Sequence, residues 1–341
     1  MSTVRGSVEL ERLREAPGWV AFWLLIAALL ALAFVENASL FVDQAIGGLV
    51  YGAILVLVTL GLSIILGLLG VVNFAHGALY MIGAYMTYQF MAVWGFPFWA
   101  ALVLVPIVIG LLGVVIERAV LQHIYDENPL IGFLATFGLA LMLTEATRAT
   151  WGGVPLSVRL PDVLARSADL VVTTVASFRL FSVAVAMVVV GVVYLLIVGT
   201  DFGLSVRAGV LDREMAEFLG VDMPVRFVAM FFLGTSIAGL AGVLRGTEVT
   251  MNLGMGQTMV ILAFVVVVVG GIGSLFGSVV AGLIIGEAVF LTPLVLRTLA
   301  EVTGIAMLDI PSIGGLMPYL VMIFVLLVRP RGLFGQEGFL E

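Results

Sequence analysis

Long apolar stretches, separated by shorter polar segments, occupy most of this chain. A helix that crosses the hydrocarbon core of a bilayer needs about 20 mostly apolar residues. Ten stretches approach that length, and each is predicted to be a membrane helix: residues 18–35, 46–68, 74–92, 98–118, 130–149, 180–199, 227–245, 258–271, 276–296 and 314–328. The pattern therefore predicts an all-α integral membrane protein of about ten transmembrane helices. Some are expected to be broken or re-entrant, since the eighth is short.

The composition supports lipid as the surrounding medium. The 341 residues are 62% hydrophobic and 11% charged, whereas a soluble domain is roughly 45–50% apolar and about 25% charged. The chain has no cysteine and only two histidines, which excludes disulfides and indicates no metal site built from cysteine or several histidines. Its net charge of −7 offers no basic surface for nucleic acid.

The kinds of basic residue in the chain indicate whether it could bind ATP itself. All 15 are arginine, and the chain contains no lysine. A Walker A loop needs a lysine to reach the terminal phosphates of ATP. If ATP drives transport, another subunit must bind it, and no cofactor is expected in this chain.

Arginine placement predicts the orientation, because cytoplasmic loops carry an excess of basic residues. With the N-terminus inside, nine arginines fall on the cytoplasmic side: Arg5, Arg12, Arg14, Arg118, Arg207, Arg213, Arg226, Arg329 and Arg331. Both termini are then cytoplasmic, residues 150–179 form an outer loop and residues 200–226 an inner loop. Residues 1–17 form a cytoplasmic segment, and residues 18–35 a retained helix, since no small-residue cleavage site follows cleanly.

The inner loop contains a short amphipathic pattern, in which charged residues surround one apolar helical face. That face consists of Leu211, Met215, Phe218 and Leu219. Gly220 is predicted to end this helix in the left-handed conformation. Asp222 is predicted to cap the next helix, with Pro224 in its first turn. Such a helix either rests on lipid headgroups or docks a cytoplasmic partner.

Two glycine-rich breaks interrupt the apolar runs: GLLGVVNFAHG at 67–77 and VVGGIGSLFGS at 268–278. Paired interruptions in corresponding places point to a transport pathway. Asn73 is a good N-cap residue, and His76 three positions later could reach back to it as in a capping box. His76 could instead line the pathway, or act as a proton relay or metal ligand. Ser274 and Ser278 could likewise cap helix starts.

Three acidic residues, Glu145, Glu248 and Glu287, lie within or near apolar helices. Such residues are costly in lipid and usually face an interior. Glu145 with Arg148, and Arg245 with Glu248, have the i, i+3 spacing of ion pairs at the outer boundary. Glu287 has no obvious partner. The acids are too few and scattered to indicate a proton pump, and no GxSxG or HExxH motif indicates an intramembrane enzyme.

Several stretches resemble the membrane permease subunits of branched-chain amino acid ABC importers, and the LivH-type subunit more than its LivM-type companion. They lie between about residue 42 and residue 335, and the order of NFAHG, GGIGS and RPRGLFG is specific. The stretches are GLSIILGLLGVVNFAHGALYMIGAYM (61–86), NPLIGFLATFGLALML (128–143), RAGVLDREMAEFLGVDM (207–223), VVGGIGSLFGSVVAGLIIG (268–286) and LLVRPRGLFG (326–335).

The resemblance implies a permease domain over 42–335, followed by a short tail at 336–341, in a bacterial inner membrane. It implies a LivM-like second permease subunit, two cytoplasmic ATPase subunits that bind ATP and Mg²⁺, and a periplasmic substrate-binding protein. The positions that match the family's ATPase-coupling loop are Arg207, Ala208, Asp212, Ala216 and Gly220, and the apolar Met215 and Phe218 are expected to join them.

The expected substrate is a branched-chain or other hydrophobic amino acid. The extra helix at 18–35, together with Arg245 and Glu248, departs from the family pattern and leaves the exact substrate open. Urea and short amides are transported by close relatives. An ion-coupled carrier that uses Glu287 and His76, or a passive urea-type channel, is the alternative outside this class.

The translocation pathway is expected beside the two breaks. Its predicted residues are Asn73, His76, Gly77, Gly271, Gly273, Ser274 and Glu287. The free N–H groups of a helix that begins at Asn73 could favour a substrate carboxylate. A loaded binding protein is expected to dock on the outer face near residues 150–179 and 246–257.

Overall fold

A computed structural model describes residues 17–69, 73–124, 127–169 and 172–335. The predicted inner segment 1–17 and tail 336–341 lie outside these ranges, apart from Pro17. The helices in the described ranges are α1 (Pro17–Glu36), α2 (Ala38–Leu69), α3 (Ala75–Tyr88), α4 (Phe98–Ala119), α5 (Pro129–Trp151), α6 (Ser177–Gly199), α7 (Asp201–Leu211), α8 (Arg213–Phe218), α9 (Met223–Glu248), α10 (Met255–Gly270), α11 (Leu275–Thr303) and α12 (Ile313–Val328).

Shorter elements join these helices. A π-helical turn, Gln89–Val93, extends α3, and 3₁₀ turns occupy Leu121–His123 and Ala306–Leu308. Strands β1 (Ser167–Asp169) and β2 (Thr174–Ala176) pair antiparallel, with Ala168 opposite Val175. The outer loop therefore contains a small hairpin that the sequence pattern did not predict.

Each of the ten apolar segments lies largely within one helix. By length and composition, six helices of the described ranges qualify as membrane spans: α2, α4, α5, α6, α9 and α11. The helices α1, α10 and α12 are apolar but shorter. The chain is therefore a helical, multi-pass membrane protein.

The inner helices of the bundle are α2, α3, α9 and α10, and their directions define two ends. Gly61 of α2 contacts Gly234 of α9, and Arg245 of α9 lies over the ring of Tyr51, 5.5 Å from its centroid. From Tyr51 to Gly61 the residue numbers of α2 rise, while those of the contacting residues on α9 fall from Arg245 to Gly234. The helices α2 and α9 therefore run antiparallel. The end of α2 and the start of α9 therefore lie at one end of the bundle, called the break end.

The second break and the described residues of the first, which exclude 70–72, lie at the break end. The ring of Phe74, just before α3, stacks on Phe264 in the last part of α10, with centroids 5.1 Å apart. The break end thus holds the end of α2, the start of α3, the end of α10 and the start of α11. The other end of the bundle is called the opposite end.

Glycines let the central helices approach closely. A methyl group on Gly256 of α10 would lie 2.6 Å from the carbonyl oxygen of Gly77 on α3. A methyl group on Gly286 of α11 would lie 2.6 Å from Cα of Gly52 on α2. Such contacts between small residues are typical of helices that associate in lipid. These contacts pack the helices that flank the two breaks closely together.

Two outer segments meet at the opposite end. The amide of Leu156 donates to the carbonyl of Met251 at 3.1 Å, and the amide of Met251 donates back at 2.7 Å. Residues 150–179 and 246–257, both predicted to lie on the outer face, are therefore joined by backbone hydrogen bonds.

Candidate translocation pathway and coupling surface

The structure brings the two breaks side by side. A methyl group on Gly67, near the end of α2, would lie 3.7 Å from Cα of Gly273 between α10 and α11. One turn further into the bundle, the buried hydroxyls of Ser63 and Ser278 lie 2.8 Å apart. The helices that flank one break therefore touch those that flank the other.

At the first break, Asn73 caps α3 as predicted. Its Oδ1 accepts a hydrogen bond from the amide of Ala75 at 3.0 Å, and its carbonyl accepts one from the amide of His76 at 3.3 Å. The side chain is buried, and its Nδ2 has no hydrogen-bond partner among the described residues. The cap thus leaves one buried donor without a partner in the part of the chain that the structure describes.

His76 does not complete a capping box, so that interpretation of the sequence is wrong. Its ring is fully buried, and Nε2 lies 3.0 Å from the carbonyl oxygen of Val58 on α2. Because a carbonyl only accepts, the hydrogen-bond network assigns the proton to Nε2, and in the neutral ring Nδ1 is an acceptor. Nδ1 is buried without a partner in the described ranges. The imidazole thus joins α3 to α2 and keeps one acceptor free.

Gly77 serves the contact between α3 and α10. A methyl group there would collide with the carbonyl oxygen of Gly256 and lie 2.7 Å from Cβ of Val260. The absence of a side chain at Gly77 therefore sets how closely α10 approaches the first break.

The second break is a tight reversal built on two left-handed glycines. Gly271 has φ +100° and Gly273 has φ +81°, a region that side chains other than glycine rarely adopt. Ser274 then caps α11, because its Oγ accepts from the amide of Gly277 at 3.0 Å. The predicted cap at Ser274 is confirmed.

The C-terminal segment 329–335 packs onto the second break. The amide of Leu333 donates to the carbonyl of Val269 at 2.8 Å, and the amide of Phe334 donates to the carbonyl of Gly270 at 3.0 Å. Both carbonyls belong to the last turn of α10, where a helix leaves its acceptors without intrahelical partners. The segment therefore completes the hydrogen bonding of α10. No spacing rule connects positions so far apart, so this contact was not predictable from the sequence.

Backbone also touches backbone between this segment and the break. Gly332 has φ +80°, and a methyl group on it would lie 2.7 Å from both N and Cα of Gly271. The ring of Phe334 meets that of Phe276, the second residue of α11, edge to face at 5.1 Å. The segment 329–335 thus holds both sides of the second break.

Glu287 lies apart from the other predicted pathway residues. It sits where α11 packs against α2, and a methyl group on Gly48 would lie 2.8 Å from its Oε2. That oxygen is buried and has no partner in the described ranges. Gly48 and Val58 are ten residues apart on α2, or about 15 Å at 1.5 Å per helical residue. The structure therefore does not bring Glu287 to His76. No three His, Asp or Glu side chains of the described ranges cluster as they would around a metal ion.

An ion network joins three helices at the opposite end. Arg245 pairs with Glu248 at 2.8 Å, as their spacing predicts. Arg179 on α6 lies 3.2 Å from Asp43 on α2 and 3.7 Å from Glu248 on α9. Sequence reasoning missed Asp43 and the role of Arg179, because these partners are far apart along the chain.

The predicted amphipathic helix of the inner loop is in fact two helices, so the prediction of one continuous helix is wrong. α7 ends at Leu211, and Asp212 starts α8 by accepting a hydrogen bond from the amide of Met215 at 2.9 Å. Gly220 adopts φ +88° beyond α8, and Asp222 accepts from the amide of Val225 at 3.2 Å to cap α9. These last two features are as predicted.

Most of the predicted coupling residues are exposed at the break end. Leu211 is 87% exposed, Phe218 85% and Leu219 78%. Together with the exposed Met215, they form what we call the coupling surface: Leu211, Met215, Phe218 and Leu219. An exposed apolar area of this size indicates a surface that contacts either another protein or the membrane.

Other residues of the predicted coupling loop support this surface. Ala216 is buried against Met223 and Phe227 at the start of α9, which anchors α8 to the bundle. Arg207 donates from its guanidinium to the carbonyl of Ile197 at the end of α6, and Ala208 is exposed. A displacement of α8 would therefore be passed to α9 through the contacts of Ala216.

Comparison with known proteins agrees with this architecture. The chain is 28% identical to the high-affinity branched-chain amino acid transport system permease protein BraD of Pseudomonas aeruginosa, over 87% of this chain and 96% of that protein. It is 28% identical to the corresponding LivH of Escherichia coli K12, over 88% and 97%. It is 26% identical to a probable LivH of Methanocaldococcus jannaschii, over 85% and 91%. No solved structure matches the chain significantly.

The sequence profile of one family covers most of the membrane bundle. It matches residues 44–326, from the early part of α2 to the last turn of α12, and so includes both breaks, the ion network apart from Asp43, and the coupling surface. The helix α1 and the segment 329–335 lie outside the match. The chain belongs to the family described as branched-chain amino acid transport system, permease component.

Proposed function

We propose that this chain is one transmembrane subunit of an ATP-driven importer that carries branched-chain amino acids across a bacterial inner membrane. The BraD and Escherichia coli LivH relatives are named as permeases of high-affinity branched-chain amino acid transport systems. The observation that carries the proposal is the coupling surface, an exposed apolar patch at the break end of the kind that marks a contact site for a protein or for the membrane surface. The partners are two cytoplasmic ATPase subunits, a second permease subunit and a periplasmic binding protein.

The proposed topology has ten crossings, with both termini in the cytoplasm. The ten crossings are α1 to α6 and α9 to α12, with α3 lengthened by its π-helical turn. The break end faces the cytoplasm, which puts the coupling surface within reach of the ATPases. A chain without lysine offers no Walker A loop, so the ATPase subunits bind ATP and Mg²⁺.

In the proposed mechanism, ATP-driven closure of the ATPases pushes on α8. Ala216 passes the movement to α9 through Met223 and Phe227, and α9 packs along α2 at Gly61 and Gly234. The bundle then switches access to the pathway between the two sides of the membrane.

The pathway passes the two breaks. Asn73 Nδ2 is a buried donor, and His76 Nδ1 is a buried acceptor in the neutral ring. An amino acid presents a carboxylate that accepts and an ammonium that donates, so the two free groups are complementary to its backbone. Gly77, Gly271, Gly273 and Ser274 shape the walls of the pathway. Glu287 lines the pathway where α11 packs against α2.

The binding protein docks at the opposite end. Residues 150–179 and 246–257 form one surface there, because Leu156 and Met251 exchange two backbone hydrogen bonds. The ion network of Arg179, Asp43 and Glu248 lies at the same end. Docking at this end would place the released substrate above α2 and α9.

Co-purification of the ATPase subunits with this chain tests the proposed partner. Leu211→Ser and Phe218→Ser reduce the apolar area of the coupling surface, and Met307→Ser, at a position 84% exposed in the turn between α11 and α12, is the matched control. We expect the ATPases to be lost from the first two variants and retained by the control. Equal retention by all three would contradict the proposal.

The geometry does not favour an ion-coupled carrier built on Glu287 and His76, since about 15 Å of α2 separates their contacts. Urea and short amides also present an acceptor and donors, so Asn73 Nδ2 and His76 Nδ1 do not by themselves select an amino acid over them. A transport assay with leucine, urea and acetamide distinguishes these substrates.

A further inference from the structure

A groove lies between α1, α11 and α12, apart from the first break and the coupling surface, and it reaches the second break. Its volume is about 1220 Å³. Trp23 and Ile26 of α1 form one wall, Leu291 of α11 the second and Leu320 of α12 the third. The groove ends at the segment 329–335 at the break end. It therefore runs along the membrane helices and reaches the break end, and this end of the groove is called its mouth.

The walls are almost wholly apolar. Glu287 is the single acidic residue among those lining the groove, and its Oε2 is directed at Gly48 on α2. α11 begins at Leu275, so Glu287 lies 12 residues from the break end, about 18 Å along the helix. The acidic group is thus remote from the mouth of the groove.

The mouth carries positive charge. The exposed Arg329 lines it, and its Nη1 donates to the carbonyl of Leu333 at 3.0 Å. That bond holds the side chain in place but leaves its charge uncompensated, since no carboxylate of the described residues pairs with Arg329. A fixed guanidinium at the end of an apolar groove suits a ligand with an anionic head and a hydrocarbon body.

We propose that this groove binds an anionic phospholipid, with its phosphate on Arg329 and its acyl chains between α1, α11 and α12. Anionic lipids are attracted to basic pockets between membrane helices at the cytoplasmic side. The groove is enclosed on three sides by helices, which suits flexible chains better than the broad face of another protein's helix. α1, which lies outside the family match at 44–326, supplies the third side. The lipid would thus hold α1 to the bundle.

Native mass spectrometry of the intact importer complex tests this site, with dioleoyl phosphatidylglycerol and dioleoyl phosphatidylcholine as the two probes. Ala288→Trp fills the groove, because Ala288 lines it. Leu111→Trp, at a lipid-facing position of α4 that is 56% exposed, is its control. Arg329→Gln removes the mouth charge, and Arg297→Gln, at an ion-paired exposed site of α11, is the control for charge.

We expect phosphatidylglycerol to bind more tightly than phosphatidylcholine. Arg329→Gln should weaken the binding of phosphatidylglycerol about fivefold, which is the effect of one basic residue near a lipid surface. The binding of phosphatidylcholine should not change. Ala288→Trp should reduce the binding of both lipids at least tenfold, and neither control should change it. Equal affinity for the two lipids, an unchanged profile in Arg329→Gln, or no lipid retained by the intact complex because a protein subunit fills the groove would each overturn the proposal.

Discussion

Gly332 and Gly271 meet backbone to backbone, although they belong to the C-terminal segment and to the second break. Both have positive φ, and a methyl group on Gly332 would lie 2.7 Å from N and Cα of Gly271. This contact, with the hydrogen bonds from Leu333 and Phe334 to the end of α10, makes segment 329–335 part of the break. The break geometry therefore depends on residues beyond the family match.

Gly332→Ala should destabilise the protein and release this segment. An alanine at φ +80° is strained, and its methyl group would collide with the break. We expect a loss of about 1–3 kcal/mol, measured by thermal unfolding in detergent. Gly315→Ala on α12 is the control, because it has open space around it. Similar unfolding temperatures for the two variants would show that segment 329–335 does not support the break.

Asn73→Ser separates capping from substrate contact. Serine still accepts the hydrogen bond that starts α3, so stability should change by less than about 1 kcal/mol. The variant removes the buried Nδ2 donor, and we expect the uptake rate to fall. Asn73→Ala removes the cap as well and should cost about 1 kcal/mol more. Normal uptake by a stable Asn73→Ser protein would show that Nδ2 has no part in transport.

The paired hydroxyls of Ser63 and Ser278 predict a non-additive double-mutant cycle. They lie 2.8 Å apart and are buried, so each single alanine variant leaves one hydroxyl without this partner. Each should destabilise by about 1–2 kcal/mol, whereas the double variant should lose less than the sum. Additive losses in the unfolding free energy would mean that the two hydroxyls do not interact.

The ion pair of Arg179 with Asp43 should be weak and salt-dependent. The side chains are 34% and 39% exposed, so solvent screening limits their coupling energy to about 0.5–1 kcal/mol. A double-mutant cycle of Arg179→Met and Asp43→Asn at low and high salt measures it. The more exposed Arg297–Glu301 pair should give a smaller value. An energy unaffected by salt would contradict this account of the network.

Local spacing predicted much of this structure. The caps at Asn73, Ser274 and Asp222 and the left-handed Gly220 each depend on residues within three or four positions, and so does the Arg245–Glu248 pair. Apolar runs likewise placed the ten main helices. The two glycine breaks were expected to lie beside one pathway, and the structure places Gly67 of one near Gly273 of the other.

Long-range contacts and competition between local signals were not predictable in the same way. Arg179 and Asp43 are 136 residues apart, and nothing in either local sequence selects the other. His76 had the spacing of a capping box, but the carbonyl of Val58 on a packed neighbouring helix took its hydrogen bond. At Asp212, the aspartate formed a cap and divided a helix that apolar periodicity alone had predicted to be continuous.

The central claim is that this chain carries amino acids only when ATPase subunits act on its coupling surface. Leucine uptake into proteoliposomes containing the whole complex and its binding protein tests it most directly. We predict uptake that requires ATP, disappears in Phe218→Ser and persists in Met307→Ser. Leucine uptake by this chain alone, driven by an ion gradient without ATP, would contradict the account.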